Sequence, residues 1–254
     1  CCQAGRHEPG LAALRRALLL DGGRADIHMN FGNALRETGD AERAEQSFRD
    51  AIALAPAYAQ AHYNLGAALE EQGKAEQARN SYLRALQIDP DFAEAYLNLG
   101  GALQAAGRGS EAKECYRQAL RCNPRLVAAW RNLAAILDGE EHIEEAIVCC
   151  RKALESEPAD GRTLYMLGLL LERLGHVDEA AAYVSRAIKR VVPADAVPMS
   201  LTLATMVPPV LKSRDHIRQV REELGRRLDM LAAANLRLDP ERCALSPPFF
   251  LSYH

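Results

Sequence analysis

The sequence has no dominant charge. Its 254 residues hold 31 Lys plus Arg against 34 Asp plus Glu, a formal net charge of −3. No global basic field is therefore available to attract nucleic acid or an anionic membrane, and neither is expected as a partner. Long apolar runs are missing too: a spanning helix needs about 18 to 20 such residues, and the stretch from Leu11 to Leu20 is interrupted by Arg15 and Arg16. The chain reads as soluble. Its seven cysteines (Cys1, Cys2, Cys115, Cys122, Cys149, Cys150 and Cys243) are odd in number and contain no C-x-x-C pair of the kind zinc and redox sites use. Reduced thiols in a cytoplasmic protein are the expectation, with Cys115, Cys149 and Cys150 falling in helical patterns as small hydrophobes. There is no G-x-G-x-x-G or P-loop pattern and no nucleophile constellation, so the body of the chain predicts no metal and no cofactor. The first residue is Cys rather than Met, and no secretory pattern is visible there.

What is present is a period. Asn30-Phe31-Gly32, Asn64-Leu65-Gly66, Asn98-Leu99-Gly100 and Asn132-Leu133-Ala134 recur every 34 residues without insertion or deletion. Counting each unit from one, with starts at Ala25, Ala59, Ala93, Val127 and Gly161, position 8 is Gly32, Gly66, Gly100, Ala134 and Gly168. Position 20 is Ala44, Ala78, Ala112, Ala146 and Ala180; position 27 is Ala51, Ala85, Ala119, Ala153 and Ala187. Each half-unit carries apolar residues at helical spacing. In the second unit His62, Leu65 and Leu69 share one face, and Ala78, Tyr82 and Ala85 share another. Gly39, Gly73, Gly107 and Gly175 at position 15 suit the left-handed end of a first helix. Pro56, Pro90, Pro124 and Pro158 at position 32 end a second. The unit is a helical hairpin with small residues where its two axes approach. One hairpin cannot bury its apolar face alone, so the hairpins must stack.

The spacing of Tyr96, Leu99, Gly100, Leu103, Ala112, Tyr116, Ala119 and Pro124 resembles the tetratricopeptide repeat. That resemblance implies an all-α solenoid, a right-handed superhelix of hairpins. Its units are 25–58, 59–92, 93–126, 127–160 and an atypical last unit, 161–194. Unit four departs with Ala134, Glu141 at position 15 and Cys150 where an aromatic usually sits, and unit five with Val192 at position 32 and Pro193 one residue late. Residues 1–24 read as the second half of an earlier unit, with Gly5 at position 15, Leu14 at 24 and Ala17 at 27, which points to a fragment.

After Pro193 the period fails. Pro193, Pro198, Pro208 and Pro209 mark an irregular connector, and Ser213 looks like the cap of an amphipathic helix running over about 213–235. Its apolar stripe is Ile217, Val220, Leu224, Leu228 and Leu231, opposite Arg218, Arg221, Glu222, Arg226 and Arg227, and it is expected to dock on another element. The order from Met206-Val207-Pro208-Pro209 through this helix to Pro248-Phe249-Phe250-Leu251-Ser252-Tyr253-His254 resembles the junction of SPINDLY-type, O-GlcNAc-transferase-like bacterial glycosyltransferases. Residues 195–254 are then the connector, the helix and the start of an absent catalytic domain. The resemblance implies transfer of a sugar from a nucleotide sugar, UDP-GlcNAc leading and GDP-fucose open, to Ser or Thr hydroxyls. His254 stands near where that family has a catalytic histidine. No complete catalytic set is present, so this chain alone is expected to be inactive.

The candidate binding residues are Asn30, Asn64, Asn98 and Asn132 at position 6, which the repeat resemblance puts on the concave face. An asparagine amide offers an acceptor and two donors, enough to pair with both backbone groups of an extended peptide. The same asparagines also occur in the repeat as structural residues. Met166 breaks the series in unit five, and position 5 (Met29, Tyr63, Leu97, Arg131, Tyr165) places no lysine for a carboxylate clamp. His28 and His62 share position 4, where packing is favoured over metal binding. Expected partners are a protein or extended peptide, with self-association into a homo-oligomer left open. The alternative to a transferase arm is a noncatalytic adaptor.

Overall fold

The structure, a computed structural model, describes residues 4–190, 196, 198–200, 202–203, 206 and 214–233. Those residues form helices and turns, with no strand among them. In chain order the helices are α1 (Ala4–Leu20), α2 (Ala25–Glu37), α3 (Ala41–Leu54), α4 (Ala59–Glu71), α5 (Ala75–Ile88) and α6 (Ala93–Ala105). They continue as α7 (Gly109–Cys122), α8 (Val127–Gly139), α9 (Ile143–Ser156), α10 (Gly161–Arg173), α11 (Val177–Ile188) and α12 (Arg214–Ala233). The chain divides into two compact units, Cys1–Ala129 and Trp130–His254. In the first, α2 pairs with α3, α4 with α5 and α6 with α7, while α1 packs on α2, α3 on α4 and α5 on α6. In the second, α10 pairs with α11 and α9 packs on α10. The class is the all-α solenoid of helical hairpins that the period predicts.

One turn recurs at the tip of all five hairpins. The position-15 amide donates to the carbonyl three residues back (Gly39 to Arg36 at 3.0 Å, Gly73 to Glu70 at 2.9 Å), and the next amide donates five residues back (Asp40 to Leu35 and Lys74 to Leu69, both 2.9 Å). This is the Schellman arrangement, which requires a left-handed residue after the helix cap. Gly39, Gly73, Gly107 and Gly175 have φ between 74° and 84°, and Glu141 is forced to 62° in the same place. Its two bonds, Glu141 to Asp138 at 3.0 Å and His142 to Leu137 at 2.8 Å, match the others.

The far end of each hairpin is set by proline. Ala55, Asp89, Asn123 and Glu157 precede the four prolines and cap α3, α5, α7 and α9 with φ from −125° to −138° and ψ from 82° to 95°. Proline disfavours the helical region for the residue before it, so these caps turn extended. In unit five, where Pro193 comes late, α11 ends at Ile188 and its cap Lys189 stays helical at φ −73°, ψ −8°.

Inside each hairpin position 8 faces position 24. A β-carbon added to Gly66 would sit 2.5 Å from Tyr82 Cε1; at Gly32 it would be 2.6 Å from Phe48 and at Gly100 2.6 Å from Tyr116. No real side chain tolerates that approach, so each of these rings requires a glycine opposite it; in unit five Gly168 faces Val184 as closely, at 2.6 Å. Unit four solves the same contact with Ala134 and Cys150, both fully buried. Two of the three departures noted in its sequence, Ala134 and Cys150, thus occupy the paired positions 8 and 24. Burial pushes the Cys150 thiol up to about 12 and the Cys115 thiol up to about 11, so both remain protonated.

An ion pair ties neighbouring hairpins in the first unit. Glu45 is buried, and its carboxylate receives Lys74 Nζ at 2.9 Å from the next hairpin and Arg49 Nη1 at 2.6 Å from its own helix. Burial alone would raise its pKa; the hydrogen bonds from Lys74 and Gln72 and the two positive charges outweigh burial and hold it below 4.5.

Two expectations change. α1 begins at Ala4 and takes in Gly5, which the repeat phase puts at a turn. Part of the supposed irregular connector is helical at Ala196, at 198–200 and at 202–203, with Met199 and Met206 buried and Thr202 Oγ1 2.9 Å from Tyr165 Oη. The amphipathic helix is present as α12, with Val220 and Leu224 half-buried and Arg218, Arg221, Glu222 and Arg226 exposed. Ser213, the prolines at 193, 208 and 209, and the run from Pro247 to His254 lie outside the described residues. No described helix is long and apolar enough to cross a membrane.

Candidate peptide-binding face

The four position-6 asparagines do not occupy equivalent surroundings. Asn30 on α2 is exposed, and its side chain has no hydrogen-bond partner among the described residues. Asn64 on α4 is only 5% exposed. Its Nδ2 donates to Asn33 Oδ1 on α2 at 2.7 Å and lies 3.8 Å from Met29 Sδ, while its Oδ1 accepts from Gln60 Nε2 at 3.2 Å. Asn98 on α6 is half-buried and turns its Nδ2 to Tyr63 Oη at 3.2 Å and Tyr82 Oη at 3.5 Å. Asn132, in the second unit, is half-buried without a side-chain partner among the described residues, and Met166 is half-buried in unit five. The structure thus joins Asn64 and Asn98 to the preceding first helix and leaves Asn30 and Asn132 unengaged.

Around these amides lies a row of polar groups that the sequence reading did not single out. Arg36 Nε on α2 pairs with Glu71 Oε1 on α4 at 3.3 Å, and its Nη1 is buried without a hydrogen-bond partner among the described residues. Tyr82 Oη donates to Glu70 Oε2 at 2.7 Å, and Tyr116 Oη donates to Gln104 Oε1 at 2.9 Å, fixing position 24 to position 12 within hairpins two and three. Tyr63 packs its ring against Phe92 and Tyr82, with centroids 4.9 and 5.9 Å away. Burial raises the Tyr63 phenol, the Glu94 and Glu70 carboxylates add to that, and Arg36 and Asn98 oppose it. Burial and Glu70 push Tyr82 up as well, so both phenols stay neutral hydrogen-bonding groups. Glu70, Glu71 and Glu94 remain exposed beside them.

A signal for this row was available. Asn64 with Met29, Asn98 with Tyr63, Glu71 with Arg36 and, in the second unit, Arg173 with Asp138 are all separated by 35 residues, one period plus one. Complementary chemistry at that spacing marks contacts between successive first helices, whereas comparison at the bare period compares only equivalent positions. Arg131, at position 5 of unit four, pairs instead with Asp160 Oδ2 at 3.2 Å. Burial raises the Asp160 carboxyl, but the Thr163 hydroxyl and amide and the Arg131 charge hold it below 3.8 overall.

His28 and His62 each set Nε2 3.1 Å from the carbonyl six residues back, Gly22 and Pro56 respectively. Among the described residues no group of three His, Cys, Asp or Glu is arranged to hold a metal ion. The face can donate and accept hydrogen bonds; it brings no nucleophile and base together. His254 lies outside the described residues, so no geometry bears on it.

Family models described as TPR repeat or tetratricopeptide repeat match residues 32–73 and 71–107, 93–126, and 137–196. These parts of the chain are tetratricopeptide repeats. Solved structures with the same fold include PilF of Pseudomonas aeruginosa, at 19% identity and TM-score 0.68, covering 83% of this chain and 91% of that one. A second is YrrB, described as a TPR protein with an unusual peptide-binding site, at 21% identity and TM-score 0.56 over 70% of this chain and 91% of that one. The MamA protein of Desulfovibrio magneticus RS-1 is a third, at 20% identity and TM-score 0.57 over 65% and 93%. At these identities the likeness is one of fold. No curated protein matches the chain.

Proposed function

We propose that the chain is a peptide-binding scaffold, and that the surface formed by α2, α4 and α6 takes an extended segment of a partner protein. The observation that carries this reading is the polar row of amides, carboxylates and the Tyr63 phenol from three successive first helices, open at Asn30, Glu70 and Glu94. An extended backbone presents alternating N–H and C=O groups, and such a row offers it acceptors and donors without demanding a particular side chain. The peptide-binding site described for YrrB shows that this fold supports such an activity; the residues used here are argued from this chain alone. Selecting peptides from a displayed random library against the protein and titrating them by calorimetry tests the reading. Saturable one-to-one binding that is weakened by joint replacement of Asn30 and Asn98 with alanine is expected; unchanged binding would remove the face from the account.

A finer reading rests on the order of residues from Met206 to His254. In it the bound peptides are Ser/Thr acceptors of a protein O-glycosyltransferase that uses UDP-GlcNAc, and the repeats are its acceptor-recognition region. The isolated chain then binds acceptor and leaves UDP-GlcNAc intact. The coding sequence beyond His254 separates this from a noncatalytic adaptor. Several hundred residues of alternating α/β pattern support the transferase, and an immediate stop codon sinks it.

A further inference from the structure

We infer that the position-6 asparagines are of two kinds: Asn30 and Asn98 bond to the backbone of an extended peptide, while Asn64 is passed over and instead clasps the first repeat to the second. The ligand half of this inference rests on the peptide-binding reading above; the clasp does not. The division follows from the neighbours each amide meets. Unit one supplies Asn33 at position 9, an acceptor that captures Asn64 Nδ2 at 2.7 Å, and unit two supplies Gln60 at position 2, a donor that captures Asn64 Oδ1 at 3.2 Å. With both ends engaged and 5% of the residue exposed, Asn64 has little left for a ligand.

One repeat later both neighbours change. Position 9 is Ala67, so Asn98 Nδ2 turns to the Tyr63 hydroxyl, and position 2 is Glu94, a carboxylate that cannot donate to Asn98 Oδ1. That oxygen is left to accept a peptide N–H. One repeat earlier, Asp26 at position 2 is engaged by Arg24, with Nη2 to Oδ2 at 2.5 Å, and the exposed Asn30 amide keeps both its donors and its acceptor. A peptide lying across α2, α4 and α6 is therefore held at the first and third helices and meets a closed amide at the second.

Two measurements test this on the whole chain. The first uses no ligand: a double-mutant cycle of Asn33→Ala and Asn64→Ala, read by native-state amide exchange in α2 and α3. A clasp predicts that the two effects overlap, with a coupling of about fivefold in the opening constant; additive effects would overturn it. The second titrates a fluorescein-labelled peptide, taken from the library selection, at a temperature where every variant is folded. Asn30→Ala and Asn98→Ala are each expected to weaken it about three- to tenfold. Asn64→Ala and Asn33→Ala are expected to change affinity by no more than about twofold. If Asn64→Ala weakens binding as much as Asn30→Ala while Asn33→Ala does not, Asn64 is a ligand contact and the division is wrong. If the selection yields no peptide, the peptide-binding reading falls and the exchange cycle alone decides the clasp.

Discussion

Repeats two and four fill the same frame with different residues, and the difference shows which features of the frame are imposed and which are negotiable. In repeat two a glycine faces a tyrosine that is fully buried and donates to Glu70. In repeat four an alanine and a cysteine take the two places, so volume moves from one helix to the other while both positions stay buried. The hairpin turn shows no such give. Its pair of backbone bonds is the same in both repeats, and Glu141 is held at φ 62° because the turn admits no other conformation. Packing here tolerates exchange between partners; backbone geometry does not.

Making repeat two resemble repeat four one residue at a time should separate these effects. Tyr82→Cys alone removes a buried ring and its hydroxyl bond, with an expected loss of about 3–5 kcal/mol in urea denaturation. Gly66→Ala alone forces a β-carbon to within 2.5 Å of that ring. It is expected to cost about 1–3 kcal/mol. The double variant should lose less than the sum, because the methyl enters the space the ring has left. Strict additivity would mean that positions 8 and 24 are not a packing pair. In the opposite direction, Glu141→Gly gives repeat four the turn residue of its neighbours. It should raise stability by about 1 kcal/mol, the cost of a left-handed non-glycine residue less the extra freedom of glycine in the unfolded chain.

The smallest effect concerns pH. Glu45 has a folded pKa below its ordinary 4.5, so its ionised form adds stability above that value. That contribution fades as pH falls through the lower folded value. The difference in midpoint between the wild type and Glu45→Gln should be constant near neutrality and shrink below about pH 4.5. A difference that does not change with pH would show that the Lys74 and Arg49 contacts do not act through charge.

Most of the fold was legible because period, glycine and proline act locally. The position-15 glycines specify a left-handed turn and the prolines force their predecessors extended, so hairpin limits could be read from single residues. The Ala134 and Cys150 departures were visible too, but their coupling was not, since nothing in a linear sequence says that positions 8 and 24 touch. The candidate site was legible only in outline. Position 6 marked the first helix of each repeat, yet whether an amide is open depends on the preceding helix. Asn33 closes Asn64, and its absence at Ala67 sends Asn98 to Tyr63. These contacts join residues 31 and 35 apart, off the exact period, so aligning equivalent positions hides them. The helical residues at 198–200 were obscured by Pro198, because proline is unfavourable within a helix.

The most direct test is the side-chain amide spectrum of the protein during peptide titration. The Nδ2 proton pairs of Asn30 and Asn98 should shift on binding while that of Asn64 keeps its free-state position. An Asn64 pair that shifts together with the others, or an Asn30 pair that does not respond to saturating peptide, would contradict the account.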